Sequence, residues 1–85
     1  MQSNKSVEEI KSGMLAYLNS DIESIAEQCE NSEIMGFLNR AQAVVGAMML
    51  PGLLSDGELE DIHARIEASV EIARKNEQRE LDSNR

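Results

Sequence analysis

The side chains with most chemistry to offer are few: one histidine, one cysteine and sixteen carboxylates in a chain of 85 residues. Glu60 and His63 stand three positions apart, the spacing that places a carboxylate and an imidazole on one helical face in bundle metal sites. Such a site also needs carboxylates from other helices. His63 lies one turn from Leu59 and Glu67, so the expected role is an imidazole at the edge of the core. Cys29 as a nucleophile would need a neighbouring base and an electropositive setting. Its neighbours Glu27 and Glu30 disfavour the thiolate, and the residue is expected to pack as a small hydrophobe. A Ser-His-Asp triad has only His63 to draw on and no strand-to-helix elbow for its serine. Gly52 and Gly57 lack the lysine of a phosphate loop. The expectation is a protein that is not an enzyme, with no catalytic residue, cofactor or metal ligand.

Charge narrows the partners. Eight Lys and Arg against sixteen Asp and Glu give a net charge of −8, which repels phosphates and anionic membranes and favours solubility or a basic protein partner. A helix-turn-helix reading around Glu30 to Glu33 fails because Arg40 would be the only cation on the recognition helix. Direct nucleic-acid binding is therefore not expected. The reverse idea has more substance: an acidic face formed by Glu23, Glu27, Glu30, Glu60, Glu67 and Glu71 could imitate a phosphate backbone and occupy a DNA-binding protein. The commoner alternative is an ordinary solvated face.

The elements that carry these residues are helices. Ser6 and Glu9 form a capping-box pattern ahead of Val7, Ile10, Met14, Leu18, Ile22, Ile25 and Cys29, a stripe spaced at threes and fours. One helix over about 6–30 is predicted, bent if anywhere near Asn19. Asn31 or Ser32 is the expected cap of a second helix, about 32–49, with Glu33 favoured by the helix dipole. Its apolar positions Ile34, Phe37, Leu38, Ala41, Val44, Val45, Met48 and Met49 are broader than one face, which predicts burial on most sides. Gly36 and Gly46, with Ala43 and Ala47, would permit close helix approach. Pro51 and Gly52 end this helix, and Ser55 with Glu58 opens a third, about 56–76, on the stripe Leu59, Ile62, Ile66, Val70 and Ala73.

Nothing alternates like a strand, so the fold class is all-α: a three-helix antiparallel arrangement with the second helix in the middle. Residues 1–76 make one domain and 77–85 a charged extension, helical or frayed. With only Tyr17 and Phe37 as aromatics, a core this small is marginal alone. Assembly as a homodimeric helical bundle is therefore expected. The interface to a second copy or another protein is placed on Phe37, Leu38, Ala41, Val44, Val45, Met48 and Met49. The uncharged stretch Ala41 to Leu54 is too short to span a membrane, and no signal-like segment opens the chain. The lone cysteine favours a reducing, cytoplasmic setting. The functional expectation is a regulator or inhibitor of a partner protein, of antirepressor, antitoxin, anti-defence or chaperone type. The alternatives are an acidic DNA mimic and a purely structural subunit.

Overall fold

A computed structural model describes residues 6–83. It is all-helical, with α1 at Val7–Glu27, α2 at Asn31–Met49 and α3 at Asp56–Ser83, and no strand among the described residues. The expected domain start at residue 1 and the last two residues of the expected extension lie outside them.

Local chemistry sets the helix starts. The Ser6 hydroxyl accepts the Glu9 amide at 3.1 Å and itself donates to the Glu9 carboxylate at 3.4 Å. At α3 the reciprocal box is complete: the Glu58 amide donates to Ser55 Oγ at 3.1 Å, and the Ser55 amide to Glu58 Oε1 at 3.0 Å. α2 departs from expectation. Glu30 holds the N-cap position without a side-chain cap bond, and the Asn31 amide oxygen accepts from Arg74 Nη1 at 2.7 Å.

α2 ends in a Schellman arrangement. The Leu53 amide donates to Met48 O at 2.9 Å and the Gly52 amide to Met49 O at 3.0 Å, with Gly52 at φ +74°. Leu50, although followed by proline, keeps right-handed helical angles. The glycine, rather than steric pressure from Pro51 on Leu50, turns the chain.

α1 runs unbroken through Asn19 to Asp21. It packs extensively against both other helices, whereas α2 and α3 meet sparsely. The central helix is therefore α1, contrary to the expectation for α2. Leu18, Ile22 and Ile25 join Ile34, Ala41 and Val45 of α2 and Ile62, Ile66 and Ala73 of α3 in one core, flanked by Leu15, Leu38, Leu59 and Val70. The apolar width of α2 overstated its burial, since Met35, Met49 and Leu50 are exposed.

α3 continues seven residues past its expected end, and Asn76, the last residue of the predicted helix, shows what holds it to α1 there. Asn76 Nδ2 donates to the carbonyls of Ala26 at 2.9 Å and Gln28 at 3.2 Å, satisfying acceptors that α1 leaves open at its C-terminus. Further up, Arg65 Nη2 donates to Asn19 Oδ1 at 2.7 Å, and Lys11 binds Glu58.

The glycines divide sharply. A methyl group on Gly46 or Gly36 would meet no atom within 4 Å, so neither makes the close helix approach expected of it within the chain. Gly46→Ala should therefore stabilise α2 by about 1 kcal/mol through helix propensity. Gly52→Ala should cost about 1–2 kcal/mol for the left-handed backbone. Urea unfolding of the two variants beside the parent checks both signs; equal shifts would mean that Gly52 does not hold the turn.

Candidate functional site

Viewed down its axis, α1 carries two apolar stripes offset by about a quarter turn. Leu15, Leu18, Ile22 and Ile25 face the core. Ile10, Met14 and Tyr17 fall beside them, toward α2, and the structure leaves this second stripe open. Ile10 is 45% and Tyr17 66% exposed, with Val7 exposed above them. With Gly13 and Glu9 of α1 and Val44 of α2, Ile10, Met14 and Tyr17 line a shallow groove on the outside of the α1/α2 pair.

The groove stops at a charged pair. Asp21 lies on the same stripe but is buried, and Arg40 Nη2 approaches its carboxylate at 3.4 Å while remaining largely exposed. The Arg40 guanidinium also lies 5.5 Å from the centre of the Phe37 ring, within cation–π range. Beyond it, Glu33, Gly36 and Phe37 line a smaller depression. The outer face of α1 and α2 therefore runs from aliphatic groove to buried carboxylate to arginine-covered ring.

Of the seven residues expected to form an interface, Ala41, Val45 and Met48 are buried within the chain, which corrects their assignment: they are needed for the fold's own core. Phe37, Leu38 and Val44 are half-buried against that core, and Met49 is 50% exposed. Ile10 and Met14, read from the sequence as core, and Tyr17, assigned to neither, are the residues the open face adds.

The six acidic-face residues are all exposed. Glu23 and Glu27 are on α1, Glu30 precedes α2, and Glu60, Glu67 and Glu71 share the outer side of α3; among the described residues only Glu71 of the six makes an ion pair, with Lys75 at 3.7 Å. Glu30 belongs to a separate carboxylate group around Cys29. Partial burial, followed by the charges of Glu80, Glu30, Glu33 and Glu77, pushes that thiol above its ordinary value. A thiol so placed is a weak nucleophile at neutral pH. His63 is exposed on α3. Among the described residues no group of three or more His, Cys, Asp and Glu is placed to hold a metal ion, and no helix is long and apolar enough to cross a membrane.

The strongest electrostatic tie is Glu58. Lys11 Nζ lies 2.8 Å from one carboxylate oxygen and 2.9 Å from the other, while the same carboxylate caps α3. The lysine first, then the Ser55 backbone and hydroxyl, hold Glu58 down at about 2. Compared with family models, with curated proteins and with solved structures, the chain matches none.

Because the Glu58 pKa is lower folded than unfolded, its contribution to stability is present above the ordinary carboxylate value of 4.5 and is lost as pH falls from there toward about 2. Glu58→Gln should flatten that limb of the stability–pH curve, measured by urea unfolding at successive pH values; an unchanged limb would show that Lys11 does not hold the carboxylate in solution. Asn76→Ala should cost about 1 kcal/mol or somewhat more, since it leaves two backbone acceptors without their protein donor. Hydrogen exchange should then quicken at the end of α1 while amides near Gly13 stay protected.

Proposed function

We propose that this chain is a small, acidic, non-enzymatic protein–protein interaction module, a regulator or inhibitor that works by docking the outer α1/α2 face against another protein surface. The observation that carries the reading is the groove of Ile10, Met14, Tyr17 and Val44, which stays open although the chain has little apolar surface to spare. Monomeric domains expose scattered apolar residues routinely, but a contiguous apolar strip on a charged molecule marks a binding surface. The order of the cross-helix bonds, Lys11 to Glu58, Asn19 to Arg65 and Ala26 to Asn76, fits antiparallel neighbours in sequence, with α1 and α3 running the same way. That arrangement, assembled as a homodimeric bundle in the cytoplasm, is part of the proposal.

A second reading rests on the exposure of Glu23, Glu27, Glu30, Glu60, Glu67 and Glu71: the acidic sides occupy a DNA-binding or otherwise basic protein. Salt separates the two. Attraction between carboxylates and a basic surface is screened within about 10 Å at 0.1 M salt, whereas apolar docking is not weakened by salt.

The full chain and its Tyr17→Glu variant, used as baits in extract of the native host at low and at high salt, test both. The expected result is a stoichiometric partner held by the parent at either salt concentration and lost by the variant. A partner held equally by both baits and released by salt would overturn the docking reading in favour of the acidic one. Capture of nothing that depends on Tyr17 would reject docking to a different protein.

A further inference from the structure

We propose that Met35 is a modification site for a peroxide-class oxidant, and that Arg74 captures the resulting sulfoxide as a latch between α2 and α3. The site is apart from the α1/α2 groove and does not depend on what docks there.

The ground is how Arg74 is held. From α3 its guanidinium reaches α2 at two points one helical turn apart: Nη1 donates to Asn31 Oδ1 at 2.7 Å, and Nη2 donates to Met35 Sδ at 3.8 Å. Nη1 also donates to Glu77 Oε1 at 3.2 Å, one turn on in α3, which steadies the group in that position. α2 and α3 otherwise touch sparsely, so what Arg74 grips decides how firmly the start of α2 is tied to α3. Two of its three acceptors are oxygens. The third is a thioether, which is a weak acceptor.

Oxidation removes that weakness. The Met35 sulfur attacks one oxygen of hydrogen peroxide, and an S–O bond forms as the O–O bond breaks. The sulfur gives up two electrons, the peroxide is reduced, and the departing hydroxide takes the proton of the new S–OH group to leave as water. The product is a neutral sulfoxide whose oxygen carries the negative end of the S–O dipole. The 3.8 Å between sulfur and Nη2 leaves room for that oxygen at the about 2.7–2.9 Å of a charge-assisted bond. Sulfoxide formation ordinarily disrupts packing by making an apolar side chain polar. Here the side chain is already at the surface, with a cation beside it.

Access and position set Met35 apart. It is 38% exposed, so the oxidant reaches it in the folded chain, whereas Met48 is fully buried. Met14 is half-buried in the groove, and Met49, although 50% exposed, is at the other end of α2. Among the described residues the Met35 sulfur alone accepts a hydrogen bond from a cation.

The test applies hydrogen peroxide to the full chain, locates the oxidised methionines by peptide mass mapping, and reads amide hydrogen exchange along α2 before and after. Met35 should gain one oxygen while Met48 does not, and amides 36–39 should exchange about 2- to 10-fold more slowly, the equivalent of one further net hydrogen bond. The slowing should be absent from Met35→Leu, a volume-conserving change that keeps the fold, and from Arg74→Ala compared with itself before treatment. Met49→Leu should retain it. Methionine sulfoxide reductases should return the parent to its original exchange. Unchanged or faster exchange in the parent carrying Met35 sulfoxide, or slowing that persists in Met35→Leu, would overturn the inference, as would a folded chain in which Met35 resists peroxide longer than Met48.

Discussion

Leu18, Ile22 and Ile25 of α1 are the contact on which both other helices depend, because α2 and α3 touch each other too little to stand without them. With two aromatics in the whole chain, the apolar area of these aliphatics has to be shared between two neighbours. Polar ties finish what the aliphatics leave undone. Lys11–Glu58, Asn19–Arg65 and Asn76 with the end of α1 are spaced along the α1/α3 seam from top to bottom. The two charged members of that series are partly exposed, and bonds of that kind contribute little to net stability. Their effect is on register: sliding α3 by one turn along α1 would break all three together.

The Asp21–Arg40 pair poses a different problem, since it joins a buried carboxylate to an exposed guanidinium. Burying a carboxylate is costly unless its partner is present, and Asp21 sits where the apolar groove would otherwise continue toward Phe37. The pair therefore divides the outer face into an aliphatic part and an aromatic part covered by a cation. It also ties α1 to α2 on the side opposite α3, so that α1 is held by polar groups on both flanks.

How much of this was legible in the sequence follows the range of each interaction. Ser6 with Glu9, Ser55 with Glu58, and Gly52 after Met49 act within a few residues, and the helix starts and the α2 turn could be read from them. The α2 cap could not: Glu30 holds it without a side-chain bond, and Asn31 bonds Arg74 more than forty positions away. Asn76 was equally invisible: at the polar end of a helix nothing distinguishes an asparagine facing water from one closing another helix. The apolar stripe of α1 failed in a more instructive way. Positions 10, 14, 18 and 22 satisfy the spacing of a single face, yet two stripes lie side by side there, and periodicity does not say where one ends. Leu15, omitted from the stripe, packs against the core, while Ile10, included in it, is open to solvent.

The same ambiguity applies to the uncharged stretch Ala41 to Leu54. Absence of charge marks a segment unsuited to full solvation, but a fold can bury it from within as readily as from without. Ala41, Val45 and Met48 were taken by the chain's own core, leaving α2 to present Met35, Val44, the edge of Phe37 and Met49, with Leu50 exposed at its end. Apolar side chains are left at the surface of all three helices, Ile10 and Tyr17 of α1, Met35 and Met49 of α2 and Ile72 and Leu81 of α3 among them. In a molecule of net charge −8, the solvent-facing carboxylates keep most of the surface from like-charged contacts.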